Sequence, residues 1–174
     1  VTSTVQIRPM QRGDLPSVLA LTHSVPEAPW WSEAHVEEIV TAEPDSAIRF
    51  RRAWVAMQTT NQSVHGFIVL HALRLPGPLA ELECEIESIV VHPEFREQGV
   101  GKQLLAKALA WCREQQASLL SLEVRSRNVL AIRLYLRSGF VATGTRPGYY
   151  DSPDDDALQM ELRLKQALPI PAGK

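Results

Sequence analysis

The sequence predicts a mixed α/β (α+β) domain, a central sheet with helices on both faces. Three observations carry this. The segment 64–75 is mostly apolar and 82–91 alternates acidic with apolar residues before ending in Ile89-Val90-Val91; both are bounded by turn residues and read as strands. A stripe of Val100, Leu104, Leu105, Ala108, Trp111 and Cys112 follows them with helical spacing. From there strand and helix patterns alternate to the last apolar segment, giving the order β-α-α-β-β-β-α-β-α-β-β in one layered domain.

The elements follow in order. Residues 5–8 form a short strand. Asp14 caps a helix with Pro16 in its first turn, running to about Thr22. The stretch 25–29, with two prolines, breaks the chain, and Ser32 caps a second helix carrying Ala34, Val36, Ile39 and Val40. Strands at 48–57 and 64–75 are joined by a polar turn at 59–63. Pro76-Gly77-Pro78 is another turn. The long strand 82–91 leads into a helix at 99–116, then a strand at 118–124. Asn128 caps a helix through Arg137, which Gly139 ends. Strands at 140–145 and 157–164 close the sheet, and 141–150 contains a loop.

The chain has 174 residues, enough for one domain spanning 1–174, with a core at about 5–165 and a Pro-rich tail at 166–174 expected to fray. With 18 basic and 20 acidic side chains the formal charge is −2, too near neutral for a protein that holds nucleic acid by neutralising phosphates. The two cysteines, Cys84 and Cys112, have no metal-ligand spacing, so no metal site is expected and both thiols are read as buried and reduced. No run of 18 apolar residues occurs and the first ten residues lack the apolar core of a secretory signal. The expectation is a cytoplasmic protein with no nucleic-acid or membrane partner. The sequence sets no oligomeric state.

The most informative segment lies at 89–102. A buried strand stops at His92-Pro93 and enters a helix through Arg96-x-x-Gly99-x-Gly101. Glycines let the backbone turn tightly and let an anion approach main-chain N–H groups, which the helix start leaves unpaired. Arg96 and Lys102 add formal charge, so a pyrophosphate fits. The dinucleotide fingerprint is absent, since position 104 is Leu, and no Gly-Lys-[Ser/Thr] marks a P-loop.

This turn resembles the acetyl-CoA motif of the GNAT N-acetyltransferases. A linked set follows it: Leu122-Glu123-Val124-Arg125, Asn128, Ala131-Ile132-x-Leu134-Tyr135, Gly139-Phe140, Tyr149-Tyr150 and Asp155 to Met160. That set, with the weaker Ala28-Pro29-Trp30-Trp31-Ser32-Glu33, resembles the RimI-type ribosomal-protein-alanine N-acetyltransferases from about Ile7 to Leu164. The resemblance implies a sheet splayed between strands 82–91 and 118–124, with acetyl-CoA in the splay. Backbone groups of Ile89, Val90 and Val91 would bind the pantetheine. The turn Arg96, Glu97, Gln98, Gly99, Val100 and Gly101, with Lys102, would hold the diphosphate, and Asn128 and Tyr135 would also touch the cofactor. It implies Glu123 as catalytic base and Tyr135 as catalytic acid, and the N-terminal α-amine of a protein, such as a ribosomal protein, as acceptor.

The chemistry suits those residue types. An amine acceptor must lose a proton before it attacks. An α-amine has a pKa of about 7.7–8.0 and a lysine about 10.4, a difference of roughly 3.5 kcal/mol. A carboxylate base therefore serves an α-amine better. A thiolate leaves with a pKa near 8.5, and a phenol can supply its proton. The bland alternative pairs Glu123 with Arg125 or Arg127 and leaves Tyr135 in the core.

Glu81, Glu83, Glu85 and Glu87 alternate with apolar residues and so share a face. Cross-strand partners such as His65, Arg74, Arg49 or Arg51 would compensate them. The other reading gives Glu85 and Glu87 to a basic acceptor peptide, with either sharing the base role. Tyr149 and Tyr150 wall the acceptor channel or pack on Trp30 or Trp31. Two further functions stay open: acetylation of a small amine, polyamine or amino acid, and a regulatory domain that binds acyl-CoA without catalysis.

Overall fold

In a computed structural model the described residues, 5–26, 28, 31–41, 48–77 and 81–164, form one seven-stranded sheet with helices on both faces. The strands are β1 (Val5–Pro9), β2 (Arg49–Gln58), β3 (Val64–Arg74), β4 (Leu82–Val91), β5 (Leu119–Arg125), β6 (Val141–Asp151) and β7 (Asp154–Arg163), in the order β1-β2-β3-β4-β5-β7-β6. The helices are α1 (Leu15–Ser24), α2 (Glu33–Thr41), α3 (Val100–Glu114) and α4 (Val129–Arg137). The element order matches the expected one. Only β4 and β5 pair in parallel, because α3 carries the chain back between them. Trp30, Pro78 and the tail 166–174 lie outside the described residues.

Two apolar clusters flank the sheet. On one face, Leu104, Leu105, Ala108 and Cys112 of α3 meet Ile68, Leu70, Cys84, Ile86, Leu120 and Leu122, and Tyr135 and Phe140 join them. Cys84 and Cys112 are both free and buried there. On the other face, Val18 and Leu21 of α1 and Val36 and Ile39 of α2 meet Val55, Phe67 and Val69. Each fully buried large side chain contributes about 1.5–3 kcal/mol.

Strand β4 changes character along its length. Its register against β3 passes from Val69 opposite Ser88 to Leu70 opposite Ile86, so Glu87 is the extra residue of a β-bulge. The bulge flips the alternation. Leu82, Cys84 and Ile86 face α3, whereas Val90 joins the core beneath α1 and α2. The β4–β5 ladder also runs only from Glu83–Leu119 to Ile86–Leu122. Beyond it β4 continues to Val91 and β5 to Arg125 without pairing to each other, and the sheet parts.

Some expectations are corrected. Asp14 makes no side-chain cap on α1. Its carboxylate takes two 2.7 Å bonds from the Arg8 guanidinium and one of 2.8 Å from the Gln11 N–H, tying β1 to the 3-10 turn Arg12–Asp14. Ser32 does cap α2, accepting from the His35 N–H at 3.2 Å. The strand expected at 140–145 runs on as β6 to Asp151, through residues read as a loop. It is an exposed edge whose register slips at Ala142/Gly144 and again at Arg146/Tyr150, which erases the period-2 signal.

Candidate active site

At the end of β4 the chain makes a 3-10 turn, Pro93–Phe95, and reaches α3 through two left-handed residues, Glu97 at φ 60 and Gly99 at φ 83. The left-handed conformation costs a residue with a Cβ about 1–2 kcal/mol, which explains glycine at 99. The Gln103 N–H bonds the Gly99 carbonyl at 3.0 Å. Helix geometry then leaves the N–H groups of Val100, Gly101 and Lys102 without partners within α3, at its positive end. The Val100 side chain is buried in the core, so only its backbone is offered. Gln98 donates to the Glu94 carbonyl at 2.7 Å, and Arg96 Nε donates to the Val91 carbonyl at 3.2 Å. A Cβ on Gly101 would lie 3.6 Å from Leu134 and 3.7 Å from Val91, so the absent side chain keeps a narrow gap between α3 and α4. The chemistry of this turn fits a diphosphate.

Beside it, Ile89 and Val91 turn their side chains to the α3 face, and the edge of β4 beyond Ile86 has no β5 ladder. That edge fits an extended chain of amides. Asn128 accepts from the Ala131 N–H at 3.2 Å and caps α4. Only Tyr135 is buried in α4, while Val129, Leu130 and Leu136 are exposed. The Tyr135 ring leans on Phe140, centroids 5.6 Å apart. Burial, helped by the nearby Tyr150, pushes its phenol well above the usual range, so the hydroxyl keeps its proton at neutral pH.

The opposite face of the parting is charged. Leu122 and Val124 point into the α3 core, so Glu123 between them points to the other side, where it lies near enough to repel Glu85, the β4 residue opposite Ser121. Arg146 Nη1 donates to Glu123 Oε1 at 2.9 Å, and Gln159 Nε2 donates to the same oxygen at 3.1 Å. The Arg146 guanidinium also lies over the Tyr149 ring at 4.3 Å, and the Tyr149 hydroxyl sits beside Glu123. Tyr150 stacks edge-on against Tyr149, and Arg125 covers its ring at 4.1 Å. Arg125 reaches the carbonyls of Pro153 and Ser152, while Arg127 turns to Asp155. The pairing of Glu123 with Arg125 or Arg127 is thus replaced by Arg146 and Gln159. Trp31 packs on Phe67 and His35, not on the tyrosines.

The acidic ladder divides at the bulge. Glu87 is bound by Arg51 Nε at 2.7 Å and by His35 at 3.0 Å. Glu85 stays exposed opposite His71. Partial loss of water and repulsion from Glu123 hold its carboxyl above the usual range, against the pull of His71. His65, expected as a compensating partner, is buried at the far end of β3, stacked on Phe95 at 3.5 Å. So Glu85, Glu123, Tyr149 and Tyr150 come together, Glu87 is bound by its own partners while still near enough to repel Glu85, and Tyr135 approaches from the other face. The sequence reading missed Arg146 and Gln159. Period 2 along 157–164 sets Gln159 on one face with Glu161, a usable signal; nothing local marked Arg146.

The model of the Acetyltransferase (GNAT) family matches residues 19–140, well over half of the chain. The chain belongs to the GNAT family. This GNAT chain is 35% identical over 84 residues to the ribosomal protein bS18-alanine N-acetyltransferase of Escherichia coli (strain K12), a stretch covering 47% of this chain and 57% of that protein. It thus spans just over half the length of the curated relatives it matches. Against the crystal structure of the Escherichia coli ribosomal-protein-S18-alanine N-acetyltransferase the TM-score is 0.68 at 25% identity, covering 95% of this chain and 97% of that one. Arabidopsis thaliana NAA60, crystallised with acetyl-CoA, shares the fold with a TM-score of 0.79 at 16% identity, over 92% of this GNAT chain and 99% of that one. Among the described residues no helix is long and apolar enough to cross a membrane, and no cluster of His, Cys, Asp or Glu could hold a metal.

Proposed function

We propose that this chain transfers an acetyl group from acetyl-CoA to the N-terminal α-amine of a protein, with Glu123 as base and Tyr135 as acid. The observation that carries this is the parting of β4 and β5. It opens one side onto a backbone-built anion turn and the other onto a carboxylate, so two substrates can meet from opposite faces of one sheet. The named activity of the Escherichia coli relatives supports the acceptor class.

Acetyl-CoA, when bound, supplies a thioester that is open to attack and a sulfur that leaves. The turn 96–102 holds its diphosphate by main-chain N–H groups, and the free edge at Ile89, Val90 and Val91 aligns its amides. Bringing both substrates together removes much of the entropic barrier. Glu123 takes the proton of the acceptor ammonium, and Tyr135 holds a proton for the departing sulfur. Glu85 gives the ammonium a second negative neighbour and favours acceptors with basic residues after the first. A cytoplasmic site of action, where new chains expose their N-termini, goes with this reading.

The test is Glu123→Gln and Tyr135→Phe in the full chain. Each lowers kcat on an α-amine peptide by about 100-fold or more, with acetyl-CoA affinity kept. A chain that binds acetyl-CoA but turns over no amine in its native form is a binding module, and the reading fails.

A further inference from the structure

Gln159 stands in the middle of three strands. Its β5 neighbour across the ladder is Glu123, and its β6 neighbour is Gly144. Its amide Nε2 reaches Glu123 Oε1, while its Oε1 lies where a Cβ on Gly144 would come, at 2.8 Å. Gly144 has no positive φ, so its backbone does not call for glycine. The space above it does, because the Gln159 amide occupies that space. Arg146, two residues on, brings the second donor to the same carboxylate oxygen. Both N–H bonds therefore fall on Oε1, and Oε2 accepts no N–H from a described residue.

We infer that Gln159 and Arg146 are positioning residues that fix the rotation of the Glu123 carboxylate through Oε1, and that Gly144 exists to seat the Gln159 amide. This rests on the reading of Glu123 as base. A carboxylate held on one oxygen cannot swing, and its other oxygen is presented at one angle. The remaining groups around it are Tyr149 and Tyr150 from β6 and Glu85 from β4, with His71 behind Glu85. Of these, Tyr149 brings its hydroxyl to the same carboxylate. Arg146 is itself half exposed and braced on Tyr149, so its grip is shared with a residue at the lip of the site.

The experiment measures steady-state kinetics of the full chain with acetyl-CoA and an alanine-initiated peptide bearing a free α-amine. Gln159→Leu lowers kcat about tenfold, with the KM for acetyl-CoA unchanged. Gly144→Ala reproduces that loss, because the clash is with the far end of a flexible side chain and the fold is kept. Combining the two costs no more than Gln159→Leu alone, since Gly144 acts through Gln159. Arg146→Ala lowers kcat further and Arg146→Lys recovers part of it. Full kcat in Gln159→Leu, or losses from Gly144→Ala and Gln159→Leu that multiply, overturns the inference while Glu123→Gln remains inactive. Should Gly144→Ala fail to fold, Gln159→Leu alone decides. Full activity in Glu123→Gln defeats the underlying reading instead.

Discussion

The two faces of the β4–β5 parting are built from different materials. The α3 side is made of backbone: an unpaired strand edge, a left-handed glycine and the N–H groups that open a helix. The other side is made of side chains: Glu123, Gln159, Arg146 and two tyrosines held to one another across three strands, with Glu85 of β4 beside them. A backbone site tolerates most side-chain changes and suits a ligand that never varies. A side-chain site can be retuned residue by residue and suits an acceptor that differs between relatives. Substitutions on one face should therefore disturb binding of one substrate and spare the other.

The largest effect that breaks this division is expected at Gly66. A Cβ there would meet the Val90 carbonyl at 2.7 Å, and backbone cannot step aside. Gly66→Ala should cost about 2–3 kcal/mol in urea unfolding and displace the edge offered to the cofactor. Next is Gly99→Val. There is room for the side chain, but φ 83 forces a β-branched residue into strain. Calorimetry should show acetyl-CoA binding about tenfold weaker, or about 1.4 kcal/mol, with the affinity for acceptor peptide kept. On the other face, Glu85→Gln should raise KM about threefold for a basic peptide, the worth of one exposed charge pair, and leave a neutral peptide unaffected. Equal shifts on both peptides would remove Glu85 from acceptor recognition.

The smallest effect is a pH dependence outside both faces. Burial, then the charge of His92, holds the His65 imidazole below its usual range. The unfolded chain takes up that proton first, near pH 6.5. Stability is therefore full above that value and falls as pH drops through the folded one, by at most about 1.4 kcal/mol per unit. His65→Phe, which keeps the stack on Phe95, should flatten that slope in melts between pH 7 and pH 5.

The same contrast explains what could be read from the residues alone. The cofactor side is local in sequence. The end of β4 at Val91, the glycines at 99 and 101 and the start of α3 at Val100 lie in one short stretch, and β4 ends where His92-Pro93 follows. The parting of the sheet came only through family resemblance, because nothing local says where two strands separate. The acceptor side depends on pairings between residues far apart. Glu87 looks identical to Glu85 along the strand, and only a bulge and the approach of Arg51 and His35 divide them. Arg146 lies in an edge strand with two register slips, so its segment resembled a loop. Asp14 has the residue type of a helix cap, yet the Arg8 guanidinium outcompetes the helix for its carboxylate.

Amide hydrogen exchange on the full chain, with and without saturating acetyl-CoA, tests the division most directly. Protection should rise at Gly99 to Lys102, at Ile89 to Val91 and along α4, and should leave β6 and the Glu85 segment of β4 unchanged. Protection confined to the charged face, or none at the glycine turn, would contradict the account.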